Sequence, residues 1–148
     1  MIRLQTEPFE PGALLTGFCA GRNETGAVVS FTGIARASSG AVRTLELEAY
    51  PGFTDVEIGR MAEAARERFA LQDLIIVHRI GAIAPGEAIV FVATAAAHRR
   101  EAFEAADQLM DYLKSRAPFW KKETGPDGSR WIEPTERDLA DAERWDRD

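Results

Sequence analysis

One helical pattern, ended by a proline, most constrains how this chain of 148 residues can fold. Residues 98–123 read HRREAFEAADQLMDYLKSRAPFWKKE. Apolar residues recur there at the three-and-four spacing of a helix with one buried stripe, at Phe103, Ala106, Leu109, Met110, Leu113 and Ala117. Pro118 cannot continue the hydrogen-bond ladder of a helix, so we expect the helix to end just before it. Lys114 then lies in the last helical turn, and Lys121 comes after the enforced change of direction.

The predicted bend would concentrate positive charge, because a backbone that folds back can aim the amines of Lys114 and Lys121 at one point. The segment 98–123 holds six Lys or Arg against five Asp or Glu, whereas the whole chain has a net charge of −6. Its basic residues lie at the two ends of the helix, and its acidic residues lie mainly in the middle. The pattern predicts an anion-binding site on an otherwise acidic protein.

The composition indicates a single globular domain and excludes several classes of function. Hydrophobic residues make up 45% and charged residues 28% of the chain, as is typical of soluble globular proteins. A pI near 5.0 argues against a protein that binds nucleic acid or membranes, since both need a broad basic surface. The segment MIRLQTEPFEPG has no apolar run of the signal-peptide kind, and no stretch approaches membrane-spanning length, so we expect a cytoplasmic protein.

The cysteine and histidine content argues against a metal site. Cys19 is the one cysteine, so the chain cannot form an intrachain disulfide or a cysteine-based metal centre. It lies in the apolar pattern of Leu14, Leu15 and Phe18, and we expect it to be a small buried hydrophobic residue. The two histidines lie far apart in the sequence, which gives a histidine-based metal site little support.

The remaining patterns predict an α+β domain. Strands are expected over 2–5, 26–35, 42–50, 74–80 and 88–95, with a C-terminal β-hairpin around the turn Gly-Pro-Asp-Gly after Pro118. Helices are expected over about 11–20 and about 54–70. The segment GAIAPGE reads as a turn, and residues 135–148 as a marginal helix. Because the strands come in pairs between helices, the order favours a layered α+β domain over a doubly wound sheet.

Two interpretations of Lys114 are open on pattern alone. Beside an apolar stripe and next to Arg116, its charged form would be disfavoured by desolvation and like charge, which makes a better base or nucleophile. Alternatively, it is a solvated lysine whose charge suits the C-terminal end of the helix dipole. Lys121 would face solvent if Trp120 packs inward, and it would then be a charge that protects an edge strand.

Three other basic residues are candidates for holding an anion. His98 and Arg99 stand where a strand of small residues passes into the helix, and backbone donors at a helix N-terminus bind anions while an arginine adds a bidentate clamp. Solvated charges are the alternative, although cations there oppose the helix dipole. Arg36 ends a buried strand at a loop of small residues. His78 and Tyr50, in contrast, are interpreted as structural.

Several stretches together resemble one family, the large, catalytic subunit of molybdopterin synthase. They are VSFTGIAR (29–36), LEAYPGF (47–53), HRIGAIAPGE (78–87), HRREAF (98–103) and LKSRAPFWKKE (113–123). The resemblance covers about residues 1–133, which we take as a single catalytic domain. The charged tail 134–148 matches least, so the resemblance assigns it no role.

This resemblance implies an enzyme that receives sulfur from a small ubiquitin-like partner with a thiocarboxylate on its C-terminal Gly-Gly tail. The sulfur passes twice to cyclic pyranopterin monophosphate and forms the dithiolene of molybdopterin, a step of molybdenum cofactor biosynthesis. The family further implies an α/β hammerhead-like fold and a homodimer of large subunits with one small subunit at each end, a heterotetramer. It implies no metal and no permanently bound cofactor, because the partner thiocarboxylate supplies the sulfur.

The resemblance also implies roles for individual residues. Lys114 and Lys121 would hold the thiocarboxylate with its developing charge and shuttle protons as the sulfur attacks. The phosphate of the pterin would be held by Arg36, His98 and Arg99. The lining of the substrate pocket would include Ile34, Ala35, Lys122 and Glu123.

Two other functions are compatible with the same residues. A non-enzymatic adaptor could capture an extended Gly-Gly tail and perform no chemistry. An unrelated enzyme could form a Schiff base between Lys114 and a carbonyl substrate. Loss of product without loss of tail binding in Lys114→Ala separates an enzyme from an adaptor, and borohydride trapping of a small carbonyl compound on Lys114 would indicate the Schiff-base enzyme.

Overall fold

A computed structural model describes residues 1–36 and 43–147 of the chain. It contains β-strands and helices in an α+β arrangement, as predicted. The strands are β1 (Ile2–Gln5), β2 (Ala27–Ile34), β3 (Thr44–Ala49), β4 (Asp73–Arg79), β5 (Gly81–Ile83), β6 (Ala88–Ala96), β7 (Phe119–Gly125) and β8 (Gly128–Ile132). The helices are α1 (Pro11–Cys19), α2 (Thr54–Arg68), α3 (Arg99–Ser115) and α4 (Glu136–Glu143), followed by a 3₁₀ turn at Arg144–Asp146.

Within the described residues, the strands form two four-stranded sheets. The first sheet has the order β1-β4-β6-β2, in which only β1 and β4 are parallel neighbours. The second sheet has the order β5-β3-β7-β8 and is antiparallel throughout. Because β7 comes directly after α3, the bend at the end of α3 connects the helical layer of the first sheet to the centre of the second.

The central strands of the first sheet are apolar on both faces because helices cover both faces. On β4, Leu74 and Ile76 belong to the cluster that packs beneath α2 and α3, whereas Ile75 and Val77 belong to the cluster beneath α1. β6 alternates in the same way, with Val92 on one side of the sheet and its neighbours on the other. This period of two explains why both segments read as continuous hydrophobic runs.

A third, smaller core lies where the two sheets meet. Ala35, Leu47 and Ile83 are buried there, and Phe119 packs against them. Two hydrogen bonds fix the end of β2 at this junction: the backbone N–H of Ala35 donates to the carbonyl of Glu87 (2.9 Å), and the N–H of Gly86 donates to the carbonyl of Ala35 (2.6 Å). The junction therefore holds the end of β2 against the face of the second sheet.

The sequence missed one strand, because β5 lies in the segment that was predicted to be a turn. It has three residues, too few for an alternating pattern to show, and it pairs antiparallel with β3. Gly81 begins it with φ of +82°, a conformation that favours glycine. The predicted start of the next strand at Val42 lies outside the described residues, and β3 is described from Thr44.

The prediction for Cys19 was wrong, since its side chain is exposed. Helix α1 has nine residues and buries Phe18, with Leu14 and Leu15 packed beside it. Cys19 is displaced from Phe18 by about 100° around the helix axis. It therefore lies beyond the narrow stripe that contacts the sheet.

The charged tail forms α4 and the 3₁₀ turn, which dock on the outer side of α3 and α2. Ala142 is buried, and the ring of Trp145 stands edge-on to Phe69 with 6.1 Å between centroids. Arg144 pairs with the carboxylates of both Asp107 and Asp111 on α3 (2.8 and 2.7 Å). None of the helices in the described part of the chain has the length and apolar character needed to cross a membrane.

Candidate active site

The bend after α3 brings Lys114 and Lys121 together. The backbone N–H groups of Arg116 and Ala117 both donate to the carbonyl of Tyr112 (2.8 and 2.9 Å), which closes the last helical turn before Pro118. The buried hydroxyl of Thr54 donates to the carbonyl of Pro118 (3.0 Å) and thereby ties the bend to α2. The predicted end of the helix at this proline is confirmed.

Both lysines line one open cavity of about 560 Å³ between the end of β2 and the inner face of the second sheet. The cavity is part apolar and part strongly charged, with Leu45, Leu47 and Ile89 in its wall. Six of the nine residues expected at the site line it: Ile34, Ala35, Arg36, Lys114, Lys121 and Glu123. A single chain therefore places two amines and a guanidinium around one cavity.

His98 and Arg99 lie at the opposite end of α3. His98 occupies the N-cap position of the helix without a side-chain capping hydrogen bond, and Arg99 is the first helical residue. The 16 residues from His98 to Lys114 correspond to about 24 Å along the helix axis. Both residues are exposed and line another cavity, of about 640 Å³, with Gly26 and Phe103. Within one chain, the proposed phosphate clamp and the lysine pair are thus separate.

Lys122 also lies away from the cavity, because neighbouring residues of a strand face opposite sides of the sheet. It shares the outer face of β7 with Trp120, and its amine stands 5.8 Å from the ring centroid of Trp131 on β8. Trp120 is 53% exposed, so the tryptophan faces solvent and Lys121 faces inward. The interpretation of Lys121 as an edge-strand charge was wrong, since β7 lies between β3 and β8.

The amine of Lys121 is strongly perturbed by its surroundings. Burial and, to a smaller extent, the positive charge of Lys114 together lower its pKa to about 8, whereas Asp138 opposes the change. Its strand register places it opposite Leu47 and Ile132, which surround the alkyl stem with apolar groups. Desolvation and a neighbouring like charge thus act together on Lys121, which can gain or lose a proton near neutral pH.

His78 lies in the core on the far side of Phe119. It is 3% exposed, and its ring stacks on that of Phe119 at a centroid distance of 4.3 Å. Its Nδ1 is 2.8 Å from the carbonyl oxygen of Arg79. Burial lowers the pKa of His78 to about 4, a shift that the backbone hydrogen bond to Arg79 opposes and the charge of Lys121 supports, so the ring is neutral at pH 7. His78 thus forms a neutral support next to the perturbed lysine.

Two arginines of the cavity were missed by sequence reasoning. Arg130 donates two hydrogen bonds to one carboxylate oxygen of Glu123 (2.7 and 2.9 Å), its partner in the β7–β8 register. Register counting outward from the Gly-Pro-Asp-Gly turn could have found this pair. Arg43 pairs with both oxygens of Asp127 (2.8 and 3.0 Å), and no local pattern in the sequence connects those two residues. With Arg36, the cavity has three guanidinium groups on its wall.

The lysine pair also borders the C-terminal tail. A smaller cavity of about 190 Å³ is lined by Lys114 and Lys121 together with Thr135 and Asp138. Sequence reasoning gave this segment no role. Within residues 1–36 and 43–147, no cluster of three His, Cys, Asp or Glu side chains is arranged to hold a metal ion.

Comparison with known proteins identifies clear relatives. Residues 4–116 match the sequence family described as MoaE protein. The chain is 71% identical over 148 residues to the molybdopterin synthase catalytic subunit of Caulobacter vibrioides, covering 100% of this chain and 99% of that protein. Its structure resembles the molybdopterin biosynthesis MoaE protein of Burkholderia ambifaria with a TM-score of 0.84 and 42% identity, covering 100% of this chain and 99% of that one.

A more distant structure shows the same fold in an assembly. It is the complex of subunits 1 and 2 of the molybdopterin-converting factor from Helicobacter pylori. The matching chain is 20% identical with a TM-score of 0.73, and the match covers 92% of this chain and 91% of that chain. At this identity the likeness concerns the fold.

Proposed function

The chain belongs to the MoaE protein family, and we propose that it acts as the catalytic subunit of a molybdopterin synthase. It transfers sulfur from the C-terminal thiocarboxylate of a small ubiquitin-like partner to cyclic pyranopterin monophosphate, and two such transfers form the dithiolene of molybdopterin. The observation that carries this proposal is the convergence of Lys114, Lys121 and Arg36 on one cavity. No permanently bound cofactor takes part, because the partner brings the sulfur.

Both reactants carry anionic groups that the cavity is suited to receive. The partner tail ends in a thiocarboxylate, and the pterin carries a phosphate. Lys114 is exposed at the end of α3 and offers an ammonium group to the incoming tail. Arg36 stands at the end of β2 on the same cavity, where its guanidinium can bind phosphate through two parallel hydrogen bonds.

Lys121 is suited to proton transfer. A pKa of about 8 leaves both its protonated and its neutral form accessible near neutral pH. As the sulfur bonds to the pterin, a proton donor is needed for the oxygen that departs as water. A base is then needed when water cleaves the acyl–sulfur bond and releases the tail as a carboxylate. Lys121 can serve in both steps, because the neutral amine left after the first step is the base that the second step needs, and it regains its proton there.

We infer that His98 and Arg99 hold the phosphate at the lysine pair of a second copy of the chain in a homodimer. Within one chain these residues lie about 24 Å from Lys114 along α3, too far to hold the phosphate of the same substrate. A second copy of the chain that contributes its own His98 and Arg99 removes this difficulty. Exposed apolar side chains support such a contact, since Phe31 on the edge strand β2 and Phe103 on α3 line one groove and are 42% and 60% exposed.

The assembly proposed here is a heterotetramer of two large and two small subunits in the cytoplasm. Each small subunit would insert its Gly-Gly tail at one lysine pair. Since two sulfur atoms are needed for each pterin, a spent tail must leave before a charged tail enters, so the small subunit must bind reversibly. Cell fractionation with an antibody against the chain tests the location.

The decisive experiment for the proposed function is a sulfur-transfer assay with the thiocarboxylated partner and cyclic pyranopterin monophosphate. We expect Lys114→Ala to reduce product formation by at least about 100-fold, because the developing negative charge loses one of the two amines placed to stabilise it. Thermal unfolding should be unchanged, since Lys114 is exposed and outside the core. Arg60→Ala, which removes a 75% exposed side chain on α2, is the matched control and should retain activity.

Product formation by Lys114→Ala at the wild-type rate would refute the role of this residue. The same preparation distinguishes an enzyme from an adaptor. A variant that still binds the partner but makes no product supports catalysis. A protein whose wild-type form binds the tail and never yields product would be an adaptor.

A further inference from the structure

Asp138 of the C-terminal tail lines a cavity together with the lysine pair, and it does not line the arginine-lined cavity. The smaller cavity of about 190 Å³ has Lys114, Lys121 and Asp138 in its wall. Lys114 and Lys121 are thus shared by two cavities, one lined by arginines and one closed by the tail. The tail supplies an acidic side chain next to two amines that would otherwise repel each other.

The position of this carboxylate is fixed by two elements. Asp138 forms a capping box with Thr135, in which its Oδ2 accepts from the N–H of Thr135 (2.9 Å) and its own N–H donates to the hydroxyl of Thr135 (3.1 Å). Helix α4 is in turn held on α3, where the indole N–H of Trp145 donates to Asp111 (2.6 Å). Asp138 is therefore held in place, unlike a freely rotating surface side chain.

The charges of the three groups depend on one another. Partial burial opposes ionisation of Asp138, but hydrogen bonds from the backbone and side chain of Thr135 and the positive charges of Lys114 and Lys121 together lower its pKa. In the other direction, Asp138 counteracts the effects of burial and of Lys114 on Lys121. A neutral residue at position 138 would leave those two effects unopposed.

We propose that Asp138 is a positioning residue of the sulfur-transfer site, whose carboxylate keeps Lys114 and Lys121 together as a cationic pair able to receive the anionic end of the partner tail. This role rests on the proposed function. The tail 134–148 is then part of the site, although it lies beyond the matched segment 4–116. The other charged and titratable groups near Lys121, in the two cavities and behind Phe119, are Arg36, Arg43, Glu123, Arg130, Glu133 and His78.

The test compares Asp138→Asn with wild type by competitive acylation of lysines across about pH 6 to 10, with each lysine quantified by mass spectrometry. The asparagine oxygen can still accept from Thr135, so the capping box and the fold should persist, which thermal unfolding checks. Only the neutral amine reacts. We expect Lys121 of Asp138→Asn to react about threefold faster at pH 7 than in wild type, because loss of the carboxylate enlarges its neutral fraction.

Asp141→Asn is the matched control. Asp141 lies on the same helix, pairs only weakly with the 90% exposed side chain of Arg137 (3.9 Å), and lines neither cavity that contains Lys121. Lys121 of Asp141→Asn should be acylated at the wild-type rate. An unchanged rate in Asp138→Asn, or an equal increase in both variants, would overturn the role of Asp138. The labelling needs neither partner nor pterin, so its outcome is independent of whether the sulfur-transfer assay succeeds.

Discussion

Residues around Lys121 explain how one amine of the pair becomes responsive near neutral pH. Its strand position buries the alkyl stem against Leu47 and Ile132, and Lys114 adds a like charge. Both effects favour the neutral amine, whereas the carboxylate of Asp138 favours the ammonium. The reactivity of Lys121 is therefore set by its surroundings, which no local sequence pattern around PFWKKE reveals.

The neutral ring of His78 makes stability depend on pH. Its pKa of about 4 in the folded protein lies below the ordinary value of 6.5, so the unfolded chain binds the extra proton first as pH falls. Stability from this residue is present above pH 6.5 and is lost as pH falls toward 4. Between pH 7 and pH 5 we expect the free energy of unfolding to drop by about 2 kcal/mol through His78.

Urea denaturation of wild type and His78→Phe at both pH values measures this contribution. Phenylalanine can retain the stacking on Phe119 and cannot bind a proton, and carboxylates shared by the two proteins cancel in the comparison. Between pH 7 and pH 5, the free energy of unfolding should fall less in His78→Phe than in wild type, by the amount attributed to the histidine. Equal losses in both proteins would show that His78 does not titrate in this way.

At the level of elements, the site depends on how β7 is placed after the end of α3. The helix itself was predictable, because its apolar stripe and its proline are local features of the sequence. The inward direction of Lys121 was not, because it depends on β7 pairing with both β3 and β8. Strand β5 could not be predicted either, because its three residues are identified only by their pairing with β3. The ion pair of Arg43 was also out of reach, because its partner Asp127 lies 84 positions away.

Helix α4 should contribute measurably to stability because Trp145 anchors it. The indole packs edge-on to Phe69 and donates a hydrogen bond to Asp111. We expect Trp145→Ala to lower the free energy of unfolding by about 2–3 kcal/mol. Hydrogen exchange should also increase in α4, since the helix loses its main apolar contact with α3 and α2.

Trp120→Ala is the control for this prediction. Trp120 is 53% exposed on the outer face of β7, so its removal should lower the free energy of unfolding by less than about 1 kcal/mol. Two results together would show that the tail is not docked as described: Trp145→Ala as stable as this control, and amide hydrogens of α4 that exchange no faster in Trp145→Ala than in wild type. Such a result would also remove the physical basis for placing Asp138 beside the lysines.

For the molecule as a whole, the main consequence of the fold is a division of the predicted site. The resemblance to molybdopterin synthase grouped His98 and Arg99 with the lysines, and a sequence gives no information on whether such residues meet within one chain. The structure places them at opposite ends of α3. In the proposed homodimer, each complete site would take its lysine pair from one chain and its phosphate clamp from the other.

Mixing a variant that lacks the catalytic amine with one that binds the pterin weakly tests the shared site most directly. Lys114→Ala and Arg99→Ala are combined at equal concentration, allowed to exchange subunits, and assayed for molybdopterin at limiting pterin with the thiocarboxylated partner. Half of the dimers should be mixed, and each mixed dimer has one intact site of two, so activity should recover to about a quarter of wild type. Activity no higher than that of the separate variants would contradict a site shared between two chains and built around this lysine pair.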